Sequence, residues 1–336
     1  MCAVEIPIIE VEGSNYEIGL TIGQILKKQI KRLVELENKE YQKKFGKEFL
    51  NYAEKSKSLI NYVNKYFPKY VAELKGMAEG SDIDVNTMFV LGCEDEFLYN
   101  CTSVAGFSKE GIILGHNEDW LKDFTDSLYI CKTRNSISLS YAGHLPGFSA
   151  GLTSKKLAFT ENALEFKNCN PKGIPLHFFT RAFLDAKKPS DLIKLASMPN
   201  KMIGWNSLIV FGNKIFDLEF APKGYALLKG KQYLAHTNHI LDKNLKSQEK
   251  EHSKDSVWRL NRVNELLKNN EFDFNLVRKI LVDHKHRPFS ICCHEYEKKG
   301  AVPYATLASV IVNVSKNEFY VAHGNPCKAK YKKYEF

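Results

Sequence analysis

Cys101 opens the run Cys101-Thr102-Ser103-Val104-Ala105-Gly106-Phe107. A cysteine attacks a carbonyl carbon as its thiolate, and an ordinary thiol is only a few per cent ionised at neutral pH, so a nucleophilic Cys101 needs a base. A free α-amine on the same residue, with an ordinary pKa of about 8, would be one: it can accept the thiol proton and later pass it to a leaving amine. The competing reading is a small thiol in the core. After the turn Lys109-Glu110-Gly111 comes a second run, Ile112-Ile113-Leu114-Gly115-His116-Asn117-Glu118-Asp119-Trp120. Two apolar runs joined by a charged turn ending in Gly read as a β-hairpin from Cys101 to about Asp119. A hairpin brings its outer ends together, so a thiol and a carboxylate are expected side by side.

The Cys-Thr-Ser opening, the apolar strand and the Gly-x-Asn-x-Asp-Trp ending resemble the start of the catalytic chain in cysteine N-terminal-nucleophile (Ntn) hydrolases. The resemblance is chiefly to the acyl-coenzyme A:6-aminopenicillanic acid acyltransferase (isopenicillin N acyltransferase, peptidase C45-like) family; choloylglycine hydrolases and acid ceramidases are more distant. Gly13-Ser14-x-Tyr16-Glu17-x-Gly19-x3-Gly23 and Glu73-x2-Gly76-x-Ala78-x-Gly80 resemble the same family's pro-segment.

The resemblance implies autocatalytic cleavage between Asn100 and Cys101, where the family usually has Gly at the first position. It implies that Asp119 holds the α-ammonium or orients the thiol; Glu118 is an equally acidic neighbour, and a strand-end Asp can simply cap a turn. His116 stands where several relatives carry Arg, and reads either as a partner of the active centre or as a polar strand position. An acyl-transfer site also needs donors for the tetrahedral oxyanion, which a fixed side-chain amide supplies without adding charge. Asn238, in His236-Thr237-Asn238-His239, resembles the family's oxyanion residue, and Asn162, in Thr160-Glu161-Asn162-Ala163-Leu164, a second recurrent Asn; turn formation is the alternative for both. Arg259, in Ser256-Val257-Trp258-Arg259-Leu260, matches a Ser-x-x-Arg helix motif in which Arg supports the centre, or it is a solvated helix residue. In Pro288-Phe289-Ser290-Ile291-Cys292-Cys293-His294 the family pattern expects Arg at Cys293, so a cation is missing there.

The elements that must position these residues follow from periodicity and punctuation. A short strand over residues 5 to 11 precedes a helix capped by Ser14 with Glu17 in a capping box, running through Leu36. Further helices are expected over 47 to 66, from Tyr70 to Gly80, and from Val85 to about Tyr99. After Cys101 strands are expected at 128–131, 137–141 and 157–160, with a Pro146-Gly147 turn between the last two. Helices follow from Pro175 to about Ala186 and from an N-cap at Ser190. Strands return at 207–211, 214–220 and 233–237, helices at 252–268 and 273–283, and strands at 304–313 and 318–323. Helix pairs interleaved with mostly antiparallel strands suggest two packed sheets between helical layers, an α+β chain. The resemblance implies the four-layer αββα sandwich.

The chain has 336 residues, 44% of them hydrophobic, and no internal repeat or linker. It reads as one domain, with 1–100 as a helical pro-segment and 101–336 as the catalytic chain. No apolar run approaches the roughly 20 residues of a membrane span, and the N-terminus lacks the basic and apolar regions of a signal peptide. A cytoplasmic protein without membrane contact is expected. The net charge of +9 is spread as lysines along the chain, so a solvated surface is expected rather than a nucleic-acid partner. Eight cysteines in a long, apparently unsecreted chain are expected to be mostly free thiols. The spacing of His284-Lys285-His286 and Cys292-Cys293-His294 matches no zinc template, so no metal or cofactor is expected. Phe107, Trp120, Phe124, Phe148 and Phe166 either wall an acyl pocket or are plain core.

These readings converge on a self-processing cysteine enzyme that acts on a small amide through a Cys101 thioester, with water or a second amine as acceptor. The partner is then a small-molecule amide or acyl substrate; oligomeric state is left open. Two rivals are a catalytically silent binding protein of the same fold, and a choloylglycine-type hydrolase whose nucleophile is Cys2 after removal of Met1.

Overall fold

The computed structural model describes residues 5–45, 56–93, 100–230, 232–250, 254–295 and 303–336. Cys2 and residues 94–99 lie outside them. The chain begins with strand β1 (Ile8–Glu10), then helices α1 (Asn15–Ile25), α2 (Lys27–Phe45), α3 (Lys57–Tyr66), α4 (Pro68–Ser81) and α5 (Val85–Leu91). The capping box forms as expected. Glu17 N–H donates to Ser14 Oγ at 3.3 Å, and Ser14 N–H to Glu17 Oε2 at 2.7 Å. The single helix expected through Leu36 is instead two, broken at Leu26, whose φ of −95° and ψ of 13° leave the helical region. Neither Gly nor Pro marks the break; across it Ile22, Leu26 and Ile30 all remain fully buried. The helix expected from 47 is described only from Lys57, and the one expected to Tyr99 ends at Leu91.

The glycines of α1 and α4 have a packing reason. A Cβ on Gly19 would sit 1.8 Å from the Glu73 carbonyl oxygen, and one on Gly76 2.1 Å from that of Tyr16. The two helices touch backbone to backbone. Glu73, fully buried in α4, also receives both Asn15 Nδ2 at 2.6 Å and Arg181 Nε at 2.9 Å, which fixes the N-terminal helices onto the second half of the chain.

From Thr102 onward the chain is mainly β. Strands β2 (Thr102–Ser108) and β3 (Gly111–Leu121) form the hairpin, followed by a 3₁₀ turn, β4 (Leu128–Lys132), β5 (Ser136–Tyr141), β6 (Ala150–Thr153) and β7 (Leu157–Ala163). Helices α6 (Leu176–Leu184) and α7 (Pro189–Ser197) lead to β8 (Trp205–Phe211), β9 (Lys214–Phe220), β10 (Tyr225–Lys229) and β11 (Tyr233–His236). Helices α8 (Lys254–Leu267) and α9 (Phe274–Leu281) precede β12 (Tyr304–Asn313), β13 (Glu318–His323) and β14 (Lys332–Tyr334). Ser190 does not cap α7. Pro189 takes the first helical position, and the Asp191 carboxylate accepts the N–H groups of Lys187 and Lys188 at 3.0 and 3.2 Å.

Strands β6, β10 and β14 were not expected. The first has four residues; the other two lie at sheet edges, β10 as a run of five without polar alternation and β14 as three residues, two of them lysines. One sheet has the order β1-β4-β5-β6-β7-β8-β9-β10 and the other β11-β2-β3-β12-β13-β14. Every pairing is antiparallel except β1 with β4. The sheets face each other through β2, β3 and β11 against β7, β8 and β9, and α8 and α9 cover the outside of the second sheet. The N-terminal helices and α6 lie on the first sheet's other face and share its core. This is the four-layer αββα arrangement.

Candidate active site

The hairpin register sets the site. Thr102 pairs with Asn117 and Ser103 with His116, so Cys101 comes level with Glu118. Side chains alternate between faces along each strand. Ser103, His116 and Glu118 point between the sheets, where Ser103 Oγ meets Thr160 Oγ1 at 2.9 Å on β7. Thr102, Asn117 and Asp119 point the other way, toward α8 and α9. Asn117 Nδ2 donates to the carbonyls of Leu281 and Ile291, both at 2.8 Å.

Arg259, on α8 and buried, joins the two chemical groups that lie far apart in the chain. Its Nη1 donates to the Cys101 carbonyl at 2.5 Å and to Thr102 Oγ1 at 2.9 Å; its Nη2 donates to Asn238 Oδ1 at 2.9 Å and to Asp255 Oδ2 at 3.3 Å. An Arg has only donors, so it must face the oxygen of the Asn238 amide. That turns the Asn238 NH2 away, and one of its N–H groups meets the Ala163 carbonyl at 3.1 Å. The Asn238 backbone N–H is held by Ser256 Oγ at 2.8 Å. The Ser-x-x-Arg motif thus anchors Asn238 twice, once through each of its named residues.

Asp119 is fully buried and lies on the same face as Arg259. Its Oδ1 accepts from Thr306 Oγ1 at 2.6 Å, while Oδ2 has no hydrogen-bond partner among the described residues. Burial pushes its carboxyl well above the usual range, opposed by the Thr306 bond and the Arg259 charge. Thr306 Oγ1 also receives the Cys293 N–H at 2.9 Å, so the residue standing where the resemblance expects Arg sits directly behind the Thr306–Asp119 pair.

The hairpin prediction of a thiol beside a carboxylate holds, with a division of parts. Cys101 Sγ lies 4.0 Å from the Asp119 backbone oxygen, whereas the acidic side chain within 4.8 Å of the sulfur is that of Glu118. Burial raises the thiol well above its usual pKa, and the charges of Glu118 and Asp119 raise it further. In the chain with Asn100 and Cys101 joined, the sulfur is therefore held as the neutral thiol.

Between the sheets His116 bridges Ser103, through Nδ1 at 2.9 Å, and Glu118, through Nε2 at 3.0 Å. Glu118 also accepts from Tyr141 OH at 3.2 Å and from Ser149. Asn162 Nδ2 donates to Ser103 Oγ at 3.0 Å and to Asn206 Oδ1 at 2.7 Å, which occupies both of its N–H groups. Asn206 in turn contacts Asp217. Tyr141, Ser149 and Asn206 carry no motif of their own; the order and register of β5 to β9 bring them here.

A cavity of about 20 Å³, room for about one water, adjoins the sulfur. It is lined by Cys101, Glu118, Phe148, Glu161, Asn162 and Trp205, among others. Of the five aromatics considered from sequence, Phe148 reaches it. Trp120 and Phe124 stack on each other at 4.4 Å beside Tyr141, Phe166 belongs to a separate cluster with Ile240 and Leu245, and Phe107 is exposed.

The atoms of Cys101, His116 and Glu118 are close enough to share a metal ion, but both His116 nitrogens are already engaged. His286, grouped with the cysteines by sequence, instead stacks on Trp258. Cys93, Cys101, Cys131, Cys169, Cys292, Cys293 and Cys327 are free thiols. No helix among the described residues is long and apolar enough to cross a membrane.

Residues 107–328 match the model of the acyl-coenzyme A:6-aminopenicillanic acid acyl-transferase family. The chain belongs to this family. Among its relatives, the acyl-coenzyme A:6-aminopenicillanic-acid-acyltransferase 40 kDa form of Emericella nidulans is 25% identical over 336 aligned positions, covering 95% of this chain and 92% of that protein. The β-alanyl-dopamine/carcinine hydrolase of Drosophila melanogaster is 26% identical over 226 residues, and that match spans 56% of this chain and 57% of the fly protein. A solved structure, the N-acylethanolamine-hydrolyzing acid amidase orthologue of Caenorhabditis elegans, aligns with 15% identity and a TM-score of 0.48, covering 64% of this chain and 93% of that one. The matched range takes in β3 of the hairpin, the Ser-x-x-Arg motif and strands β12 and β13, and begins six residues after Cys101.

Proposed function

We propose that this chain is a self-processing cysteine amidohydrolase or acyltransferase acting on non-peptide C–N amide bonds, with Cys101 as nucleophile and N-terminal base. In this reading the Cys101 sulfur first attacks the Asn100 carbonyl carbon, the Cys101 nitrogen departs as an amine, and water hydrolyses the resulting thioester. Residues 1–100 then remain as the helical chain and 101–336 as the catalytic one. In turnover the α-amine takes the thiol proton, the thiolate attacks the amide carbon, and the leaving amine collects that proton. Water or a second amine then takes the acyl group and frees the sulfur.

The observation that carries this reading is Arg259 reaching the Cys101 carbonyl and the Asn238 amide at once. Asn238 keeps one N–H to offer a tetrahedral oxyanion. Asp119 Oδ2, buried without a partner among the described residues, is the acceptor a new α-ammonium needs. Asn162 and His116 act through Ser103, holding the strand that carries the nucleophile. The names of the fungal and fly relatives cover acyl transfer and hydrolysis, so the acceptor is tested directly: purified protein is given an amide with and without an added amine, and the products are separated by mass. A free acid in both cases identifies a hydrolase; a new amide identifies a transferase.

A second reading, a binding protein that keeps the fold without cutting itself, draws on the buried neutral thiol and the one-water cavity. A single uncut chain that also resists a thiol-reactive acyl probe supports it. Free thiols throughout the described residues favour a reducing compartment, and a cytoplasmic location is proposed on that ground.

A further inference from the structure

A second group of reactive side chains lies outside the catalytic hub. His284 follows α9, Cys292 and His294 belong to the segment leading to β12, and Cys327 lies between β13 and β14. Their ligand atoms all fall within 4.8 Å of one another. We propose that His284, Cys292, His294 and Cys327 form a Cys2His2 site that binds one tetrahedral zinc-class divalent cation.

The separations support this. Zinc bonds of about 2.3 Å to sulfur and about 2.0–2.1 Å to nitrogen give tetrahedral edges of about 3.4 Å between nitrogens, 3.5 Å between nitrogen and sulfur and 3.8 Å between sulfurs. The two Nε2 atoms are 3.0 Å apart and the two Sγ atoms 3.6 Å. The His294 Nε2 lies 3.8 Å from Cys292 Sγ and 3.2 Å from Cys327 Sγ. A disulfide would need the sulfurs at about 2.05 Å. A purely hydrogen-bonded cluster would place two weak thiol donors against each other and two imidazoles nitrogen to nitrogen.

Two thiolates and two imidazoles select zinc over the harder cations, and four protein ligands make a closed, structural site. Binding releases two thiol protons to solvent and leaves a complex of zero net charge. That neutrality suits a place where Arg287 and Lys328 are close enough to act on His294. Asn325 Nδ2 donates to the Cys293 carbonyl at 2.7 Å and reaches Cys292 Sγ at 3.6 Å, a supporting bond to a metal-bound sulfur. The ion would tie the turn after β13 to the segment whose next residue, Cys293, bonds Thr306, the partner of Asp119. It would thus brace the catalytic hub from behind, without touching substrate.

Titration of the reduced, metal-stripped full chain with cobalt(II) tests this. The expected result is saturation at about one equivalent, with the intense visible bands of tetrahedral cobalt and a sulfur-to-cobalt charge-transfer band, both bleached by zinc. Cys327→Ser, at an exposed position, weakens binding roughly a hundredfold or more, Cys327→His retains a tetrahedral spectrum with a weaker charge-transfer band, and His286→Ala and Cys101→Ala bind as the parent does. The proposal is overturned by a pale octahedral spectrum, by binding indifferent to Cys327→Ser, or by a Cys292–Cys327 disulfide in chain isolated without exposure to air. Because Cys101→Ala retains the site in this scheme, the result is independent of the catalytic reading.

Discussion

The Arg259 guanidinium donates to the backbone carbonyl of Cys101 at 2.5 Å while its other terminal nitrogen holds Asn238 Oδ1 at 2.9 Å. One planar group therefore sets the distance between the proposed nucleophile's own residue and the proposed oxyanion donor, and Asp255 balances its charge in the interior. Lysine carries the same charge without the fork. Arg259→Lys is predicted to lower both the rate of chain scission and kcat by about a hundredfold, read from the appearance of the Cys101-terminal fragment and from amide turnover.

Asn238 is predicted to act on the transition state rather than on substrate binding. Loss of one oxyanion donor typically costs about 10²–10³ in kcat. Asn238→Ala should therefore depress kcat by that factor with KM little changed, while the melting temperature reports whether Arg259 tolerates the loss of its acceptor. A rise in KM with unchanged kcat would assign Asn238 to ground-state binding.

Glu118 and Asp119 are predicted to separate by pH profile. The Cys101 thiol is raised first by burial, then by Glu118, then by Asp119. Removing the Glu118 charge lowers the thiol pKa, so Glu118→Gln should shift the alkaline rise of the scission rate to lower pH. The scission rate of freshly synthesised chain is measured across that range. Asp119→Asn relieves the thiol in the same direction but removes the carboxylate proposed to accept the α-ammonium, so on the proposed mechanism turnover should fall by about 10² or more.

The N-terminal helices are predicted to depend on direct backbone contact. Gly19→Ala places a methyl 1.8 Å from the Glu73 carbonyl oxygen, and backbone cannot yield as a side chain can. The melting temperature should fall by about 5 °C or more. Gly212→Ala, at a positive φ of 57° with open space around it, tests backbone strain without a clash and should cost less.

The parts of this site that were legible in sequence are those carried by one short segment. The two-residue approach to Gly111 fixes the hairpin register, and with it the meeting of residue 101 with residues 118 and 119. Arg259 and Asn238 were found through motifs but not through geometry, because no periodicity says which way an α8 side chain reaches. Alternation on β3 sends Glu118 and Asp119 to opposite faces of a sheet; from sequence they are adjacent acids of equal standing. The elements missed, β6, β10 and β14, run to five residues or fewer, too short for an apolar alternation to show. Of the His284, Cys292, His294 and Cys327 group, the first three were considered in sequence and set aside for want of a zinc spacing, because Cys327 joins them only through the pairing of β12 with β13.

The most direct measurement is the intact mass of the purified chain together with N-terminal sequencing, for the parent and for Cys101→Ala and Cys101→Ser. The parent should yield two associated fragments, one beginning Cys101-Thr102-Ser103, the serine variant the same fragments slowly, and the alanine variant one uncut and inactive chain. An alanine variant that is cut at Asn100 or retains turnover would contradict the assignment of residue 101 as the nucleophile.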